Sequence, residues 1–169
     1  MKKKNSLKLL AFFGALSLLF FNSTLANAHE HHPPHHGTLV ELGEEFAHVE
    51  LLLDPATGGL TAFVLDGEAE NPVKISQPSL QIKVKGKGGA ATLKLKPVAN
   101  ALTGETASNT SQYQGFSKKL KGLSKFEGSI VRIKAKGTLF NNVWFLYPEG
   151  NEGVENPSKK GAKHDKAAQ

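Results

Sequence analysis

Residues 80–96 read Leu80-Gln81-Ile82-Lys83-Val84-Lys85-Gly86-Lys87-Gly88-Gly89-Ala90-Ala91-Thr92-Leu93-Lys94-Leu95-Lys96. Leu80, Ile82 and Val84 alternate with Gln81, Lys83 and Lys85, and Ala91, Leu93 and Leu95 alternate with Thr92, Lys94 and Lys96. A period of two puts each apolar set on one face of an extended strand. Gly86-Lys87-Gly88-Gly89 reverses the chain between them, because glycine enters the dihedrals of a tight turn without steric cost. The two runs are therefore the arms of a β-hairpin with one face toward a core. Their lysines point outward, where they keep a strand soluble and discourage edge-to-edge pairing.

The same period extends in both directions. Thr38–Glu41 is a short strand closed by Gly43. Phe46–Asp54 follows, with Ala47, Val49, Leu51 and Leu53 on one face and Phe46, His48, Glu50 and Leu52 on the other. The turn chemistry of 54–59, Asp-Pro-Ala-Thr-Gly-Gly, returns the chain through Leu60–Asp66 as a second hairpin. Asp66–Pro72 is a polar loop, Val73–Ile75 a brief strand, and the Thr-, Ser- and Asn-rich 100–111 a connection. Tyr113–Ser117 is a further short strand, and Lys118–Lys125 has apolar content for one helical turn at most. Ser129, Val131, Ile133 and Ala135 alternate with Ile130, Arg132, Lys134 and Lys136. After Gly137, Thr138–Tyr147 carries Phe140, Trp144, Phe145 and Tyr147 and is expected to form a major part of the core. Eight or nine strands without an amphipathic helix define an all-β fold: an antiparallel β-sandwich, Ig-like or related.

The N-terminus is organised differently. Lys2, Lys3, Lys4 and Lys8 precede an apolar run from Leu9 to Phe21 that is short of the roughly 20 residues a membrane span needs. Ala26-Asn27-Ala28 supplies the small-x-small pattern of a signal-peptidase site. Residues 1–28 are thus expected to be a cleaved signal peptide, and the mature chain a periplasmic or secreted bacterial protein with no membrane span. The expected organisation is a flexible His-rich arm over 29–37, a β-sandwich domain over 38–148 and a disordered tail over 149–169. Four of the 21 basic residues lie in the signal and none of the 15 acidic ones, which leaves the mature chain at +2. That value argues against a nucleic-acid partner. Cysteine is absent, so neither disulfides nor thiolate metal ligands contribute.

Of seven histidines, five fall within residues 29–36, His29-Glu30-His31-His32-Pro33-Pro34-His35-His36. Neutral imidazole is the commonest protein ligand for Zn, Cu and Ni. Cleavage after Ala28 would make His31 the third residue of the mature chain. The free amine, two amide nitrogens and the His31 ring would then form a square-planar set suited to Cu(II) or Ni(II). His29 offers an alternative chelate through its amine and ring. On the strand 46–54, His48 and Glu50 lie two residues apart on one face, roughly 6.5–7 Å along the chain, and can converge on one ion completed by the arm. His29, His31, His32, His35, His36, His48 and Glu50 are the candidate metal ligands, with Glu41 a weaker addition. His164 stands apart in the tail. No nucleophile elbow, zinc-protease helix, Walker loop or dinucleotide fingerprint occurs, and no enzymatic activity is expected.

The run His36-Gly37-Thr38-Leu39-Val40-Glu41-Leu42-Gly43, then His48-Val49-Glu50 to Asp54, then Thr57 to Asp66 resembles a segment of small exported bacterial proteins and of periplasmic adaptor subunits of heavy-metal efflux systems. Those segments read His-Gly-Gly, a Leu-Gly turn and a His-x-Glu strand, whereas Thr38 here replaces the second glycine. The resemblance covers residues 36–75. It implies an exported β-domain connected with metal handling and points to His36, His48 and Glu50. The expected function is transition-metal binding for buffering, or for delivery to a periplasmic metal-transport partner of an efflux or uptake system. The alternative is a non-enzymatic interaction or structural module of the cell envelope with incidental histidines.

Overall fold

The computed structural model describes residues 31–154 and 156. The expected signal peptide, His29 and most of the expected tail, including His164, lie outside the described residues. Eight antiparallel strands form the domain: β1 (Thr38–Leu42), β2 (Ala47–Asp54), β3 (Gly59–Leu65), β4 (Leu80–Gly86), β5 (Gly89–Pro97), β6 (Gln112–Phe116), β7 (Phe126–Ala135) and β8 (Thr138–Tyr147). They make one nearly closed sheet in the order β1-β2-β3-β6-β5-β4-β7-β8. The hairpin 80–96 is present as read, with Leu80 opposite Leu95 and Gly86 opposite Gly89.

The sheet folds over at β5. That strand pairs with β4 along its length but with β6 only at Lys96↔Gln114 and Pro97↔Tyr113. One layer, β1-β2-β3-β6, thereby faces another, β5-β4-β7-β8, across a shared core. Val40, Val49, Leu51, Leu60, Ala62 and Val64 of the first layer meet Leu80, Ile82, Leu95, Ile130, Ile133 and Phe145 of the second in one buried cluster. Buried apolar surface on this scale is the main stabilising term in a domain without crosslinks.

Three departures from the alternation have local causes. Val73–Ile75 makes a single isolated bridge, Ile75↔Thr110, and is stitched down by the Tyr113 hydroxyl, which donates to the carbonyls of Ile75 (3.3 Å) and Gln77 (2.9 Å). In β7 the inward set is Phe126, Gly128 and Ile130, then Ile133 and Ala135, because Ile82 pairs with Ile130 and Gln81 with Arg132. Val131 is an extra residue, and such a bulge flips every side chain beyond it to the other face. Strict alternation therefore places Ser129 and Val131 on the wrong side. Finally, Phe145 alone of the β8 aromatics is fully buried. Phe140 and Tyr147 are partly buried, and Trp144 lies on the outer face with its indole N–H on Glu127 (2.9 Å).

The first residues of the expected tail close the seam between β1 and β8. The Thr38 hydroxyl donates to the Pro148 carbonyl (3.1 Å). The Asn151 side chain brackets Glu41, accepting from its N–H (2.7 Å) and donating to its carbonyl (3.0 Å).

Candidate metal centre

Strand β2 is buried on both faces over Ala47–Leu51, where a half-exposed strand would show alternation. The arm is the reason. Residues 31–37 lie across the outer face of β1-β2-β3 and turn at Pro33–His36, where the His36 N–H reaches the Pro33 carbonyl (3.0 Å). Gly37 permits the approach: a Cβ there would lie 2.6 Å from Leu52 Cδ1 and 2.7 Å from the Leu51 carbonyl oxygen. In place of a loose arm, the described part is docked.

Glu50 is the anchor of that docking. It is fully buried, and it accepts from the backbone N–H of His35 (2.9 Å) and of Gly37 (2.8 Å). The His35 Nδ1 meets its second oxygen at 2.7 Å, and the His35 ring stacks on Phe63 with centroids 3.9 Å apart. Phe63 stands directly opposite Glu50 in the β2–β3 register. A buried carboxylate is costly unless hydrogen-bonded, and here both oxygens are engaged.

His48 sits one outward position back on β2 and is 1% exposed. Its Nδ1 lies 3.1 Å from the Asp66 carbonyl, and the His31 Nδ1 lies 3.2 Å from the Glu68 carbonyl. A carbonyl oxygen can only accept, so in both rings Nδ1 carries a proton, and in the tautomer this selects the lone pair is at Nε2. Both Nε2 atoms are buried and have no hydrogen-bond partner. The two rings are 4.9 Å apart, centroid to centroid. An Nδ1–H held by a backbone carbonyl with Nε2 left free is the arrangement that orients a metal-ligating histidine. Buried polar atoms are otherwise almost always paired.

The Glu45 carboxylate, at the exposed tip of the β1–β2 hairpin, is 3.7 Å from His31 Nε2. Two ligands of a tetrahedral ion at ordinary Zn–N and Zn–O distances stand about 3.3 Å apart, close to that separation. No group of three or more His, Asp or Glu side chains is assembled for a metal among the described residues. Two buried imidazoles and one exposed carboxylate are therefore the candidate ligands.

The loop 66–71 that supplies both carbonyls is itself braced. Asp66 accepts from the N–H groups of Glu70 (2.9 Å) and Asn71 (3.1 Å) and from the Asn71 side chain (2.7 Å). Gly67 lets this loop abut the β1–β2 turn, since a Cβ there would lie 2.4 Å from the Glu45 carbonyl oxygen. Of five non-glycine residues with positive φ among the described residues, three lie on the segments that carry the candidate ligands and their carbonyls: His36 (60°), Glu45 (55°) and Ala69 (56°). Such conformations cost energy and gather at functional sites.

Burial alone would raise the Asp66 carboxyl, but its hydrogen bonds from Asn71 and Glu70, with Lys136 nearby, outweigh that and hold it below its ordinary 3.8. Glu105 behaves alike, with Ser111, Thr103 and Lys74 outweighing burial and holding it below 4.5. A depressed carboxylate adds stability that is full above its unfolded pKa and is lost as pH falls through its folded value. The stability that Asp66 and Glu105 contribute should therefore stay full down to about pH 5 and decline below about pH 4, lowering the thermal midpoint with it. Asp66→Asn with Glu105→Gln should flatten that decline, as melts across the range will read; an unchanged acid limb would refute the assignment.

The sequence-derived ligands thus separate into groups. His31 and His48 come together, and His35 pairs with Glu50 rather than with an ion. His48 and Glu50 share a face but each takes a different arm histidine. His32 and His36 are exposed. Glu41 accepts from the Glu45 N–H (2.7 Å) and shapes the turn. Glu45 and the loop carbonyls escaped the sequence reading. The rows of acidic residues at 41–45 and 66–70 mark these segments, but backbone carbonyls carry no residue signature. No protein-family model, no curated protein and no solved structure matches the chain.

Proposed function

We propose that the protein is an exported transition-metal-binding protein that buffers or delivers its ion outside the cytoplasm. The carrying observation is the pair of buried Nε2 atoms of His31 and His48 without a hydrogen bond, each ring held through Nδ1 to a carbonyl of the loop 66–71. Zn(II) suits two imidazoles and a carboxylate in tetrahedral array with one open position. Cu(II) is the second candidate, through the amino-terminal chelate at His29 and His31. His31 belongs to both arrangements. An incomplete ligand set with one partly exposed carboxylate favours a site that releases its ion over one that locks it in.

Calorimetric titration of the chain beginning at His29 with Zn(II), Cu(II) and Ni(II) tests this reading. One high-affinity equivalent is expected, and a chain beginning at Gly37 should lose it. Absence of binding by the longer chain, or retention by the shorter, overturns the reading. Acetylating the amino terminus separates the two arrangements, because it abolishes only the amino-terminal chelate.

A further inference from the structure

Lys83, Lys85, Lys94 and Lys96 do not guard an edge. β4 lies between β5 and β7, and β5 between β4 and β6. All four are exposed, and the register extends their rows into β7: Lys94, Gln81 and Arg132 lie abreast, as do Thr92, Lys83 and Ser129. Lys134 adds another exposed cation beyond Arg132. The one carboxylate on the outward rows of these strands, Glu127, is held by the Trp144 indole at 2.9 Å. A depression of about 450 Å³ lies on this face, lined by Lys83, Lys85, Thr92 and Trp144 among others.

Charge is segregated along the whole domain. Residues 31–73 contain eight Asp and Glu and no Lys or Arg, whereas residues 74–136 contain thirteen Lys and Arg and two Asp and Glu. β2 and β4 stand four places apart in a nearly closed ring of eight strands, so their outward faces look in opposite directions. The acidic layer bears the histidine centre, and the basic grid lies on the far side.

We propose that the basic face of β5-β4-β7 docks on the anionic surface of a phospholipid bilayer and turns the histidine centre toward the aqueous phase. Lysine predominates over arginine there. Its hydrated point charge suits mobile headgroups, whereas a bidentate fork suits a fixed anion. Trp144 adds an amphipathic ring of the kind enriched at headgroup level. The acidic layer of a second copy is also complementary in charge. That contact would be heterologous, need not close and would cover the arm. The proposal does not depend on metal binding.

The test is co-sedimentation of the chain beginning at His29, in chelator and without metal, with vesicles of phosphatidylcholine alone or with 30% phosphatidylglycerol. Removing residues 1–28 keeps the apolar signal from binding on its own. Binding to the anionic vesicles only, lost at high salt, is expected. Each surface lysine is worth about a five-fold change, so Lys83→Gln, Lys85→Gln and Lys94→Gln together should weaken binding about 100-fold. Circular dichroism and an unchanged thermal midpoint establish that the variant folds. Equal binding to neutral vesicles, no binding, or indifference to the triple substitution overturns the proposal. So does binding to soluble polyphosphate without binding to vesicles, or salt-sensitive self-association in place of vesicle binding.

Discussion

His48→Asn should lower Zn(II) affinity by at least about 100-fold while leaving the fold intact. The asparagine amide takes the place of Nδ1 and still donates to the Asp66 carbonyl, so the loop 66–71 keeps its contact. Only the Nε2 lone pair is removed. Loss of a mere outer partner of a metal ligand costs roughly 10–100-fold, and loss of the ligand itself should reach or exceed that upper bound. His31→Asn should behave alike, for the same reason at the Glu68 carbonyl. His32→Asn, at an exposed position, should change little. Competition titration against a chromophoric chelator gives the three affinities. Equal losses at all three positions would mean diffuse chelation by the arm and would refute the paired centre.

Glu50→Ala should destabilise the domain by about 3 kcal/mol, because it strands two backbone N–H groups and the His35 ring against a buried cavity. The His35 side chain is 43% exposed, which keeps the figure at the low end of the range for buried pairs. For a domain of this size the thermal midpoint should fall by roughly 10 °C. Glu50→Gln retains an acceptor and should lose about half as much. Hydrogen exchange at His35 and Gly37 distinguishes local from global effects: both amides should lose protection in Glu50→Ala before the core strands do. Unchanged protection would show that the arm is held by something other than this carboxylate. Released from β2, the arm no longer presents His31 to His48, so metal affinity should fall as well.

The strands were legible where burial is one-sided. Residues 80–96 alternate because β4 and β5 each bury one face and expose the other. Legibility failed where that condition lapses. β2 is buried on both faces, and the period of two that put His48 and Glu50 on one face did not reveal that the arm covers that face and that each takes a different histidine. The bulge at Val131 shifts the phase of β7 by one residue, and nothing in its composition announces an extra residue. The aromatics of β8 suggested a core strand, yet an outward Trp144 satisfies its indole on Glu127. The histidine cluster identified the arm as the place to look. Its docking depends on a carboxylate 15 residues away and on carbonyls from a third segment, relations that only the folded chain creates. The charge segregation was present in the order of residues, but the net value of +2 over residues 29–169 averages it away.

The seam between β1 and β8 has a mechanical consequence. The chain enters the sheet at Thr38 and leaves it just before Pro148, and the two are hydrogen-bonded to each other. A pull applied through both ends therefore acts across the seam, perpendicular to the strands. Once the arm is stripped from Glu50, the Asn151 clip and the Thr38 contact would give way one after another, as a zipper does, before the ladders of the remaining strands bear load. A link that strained the domain from both ends would open it at this seam.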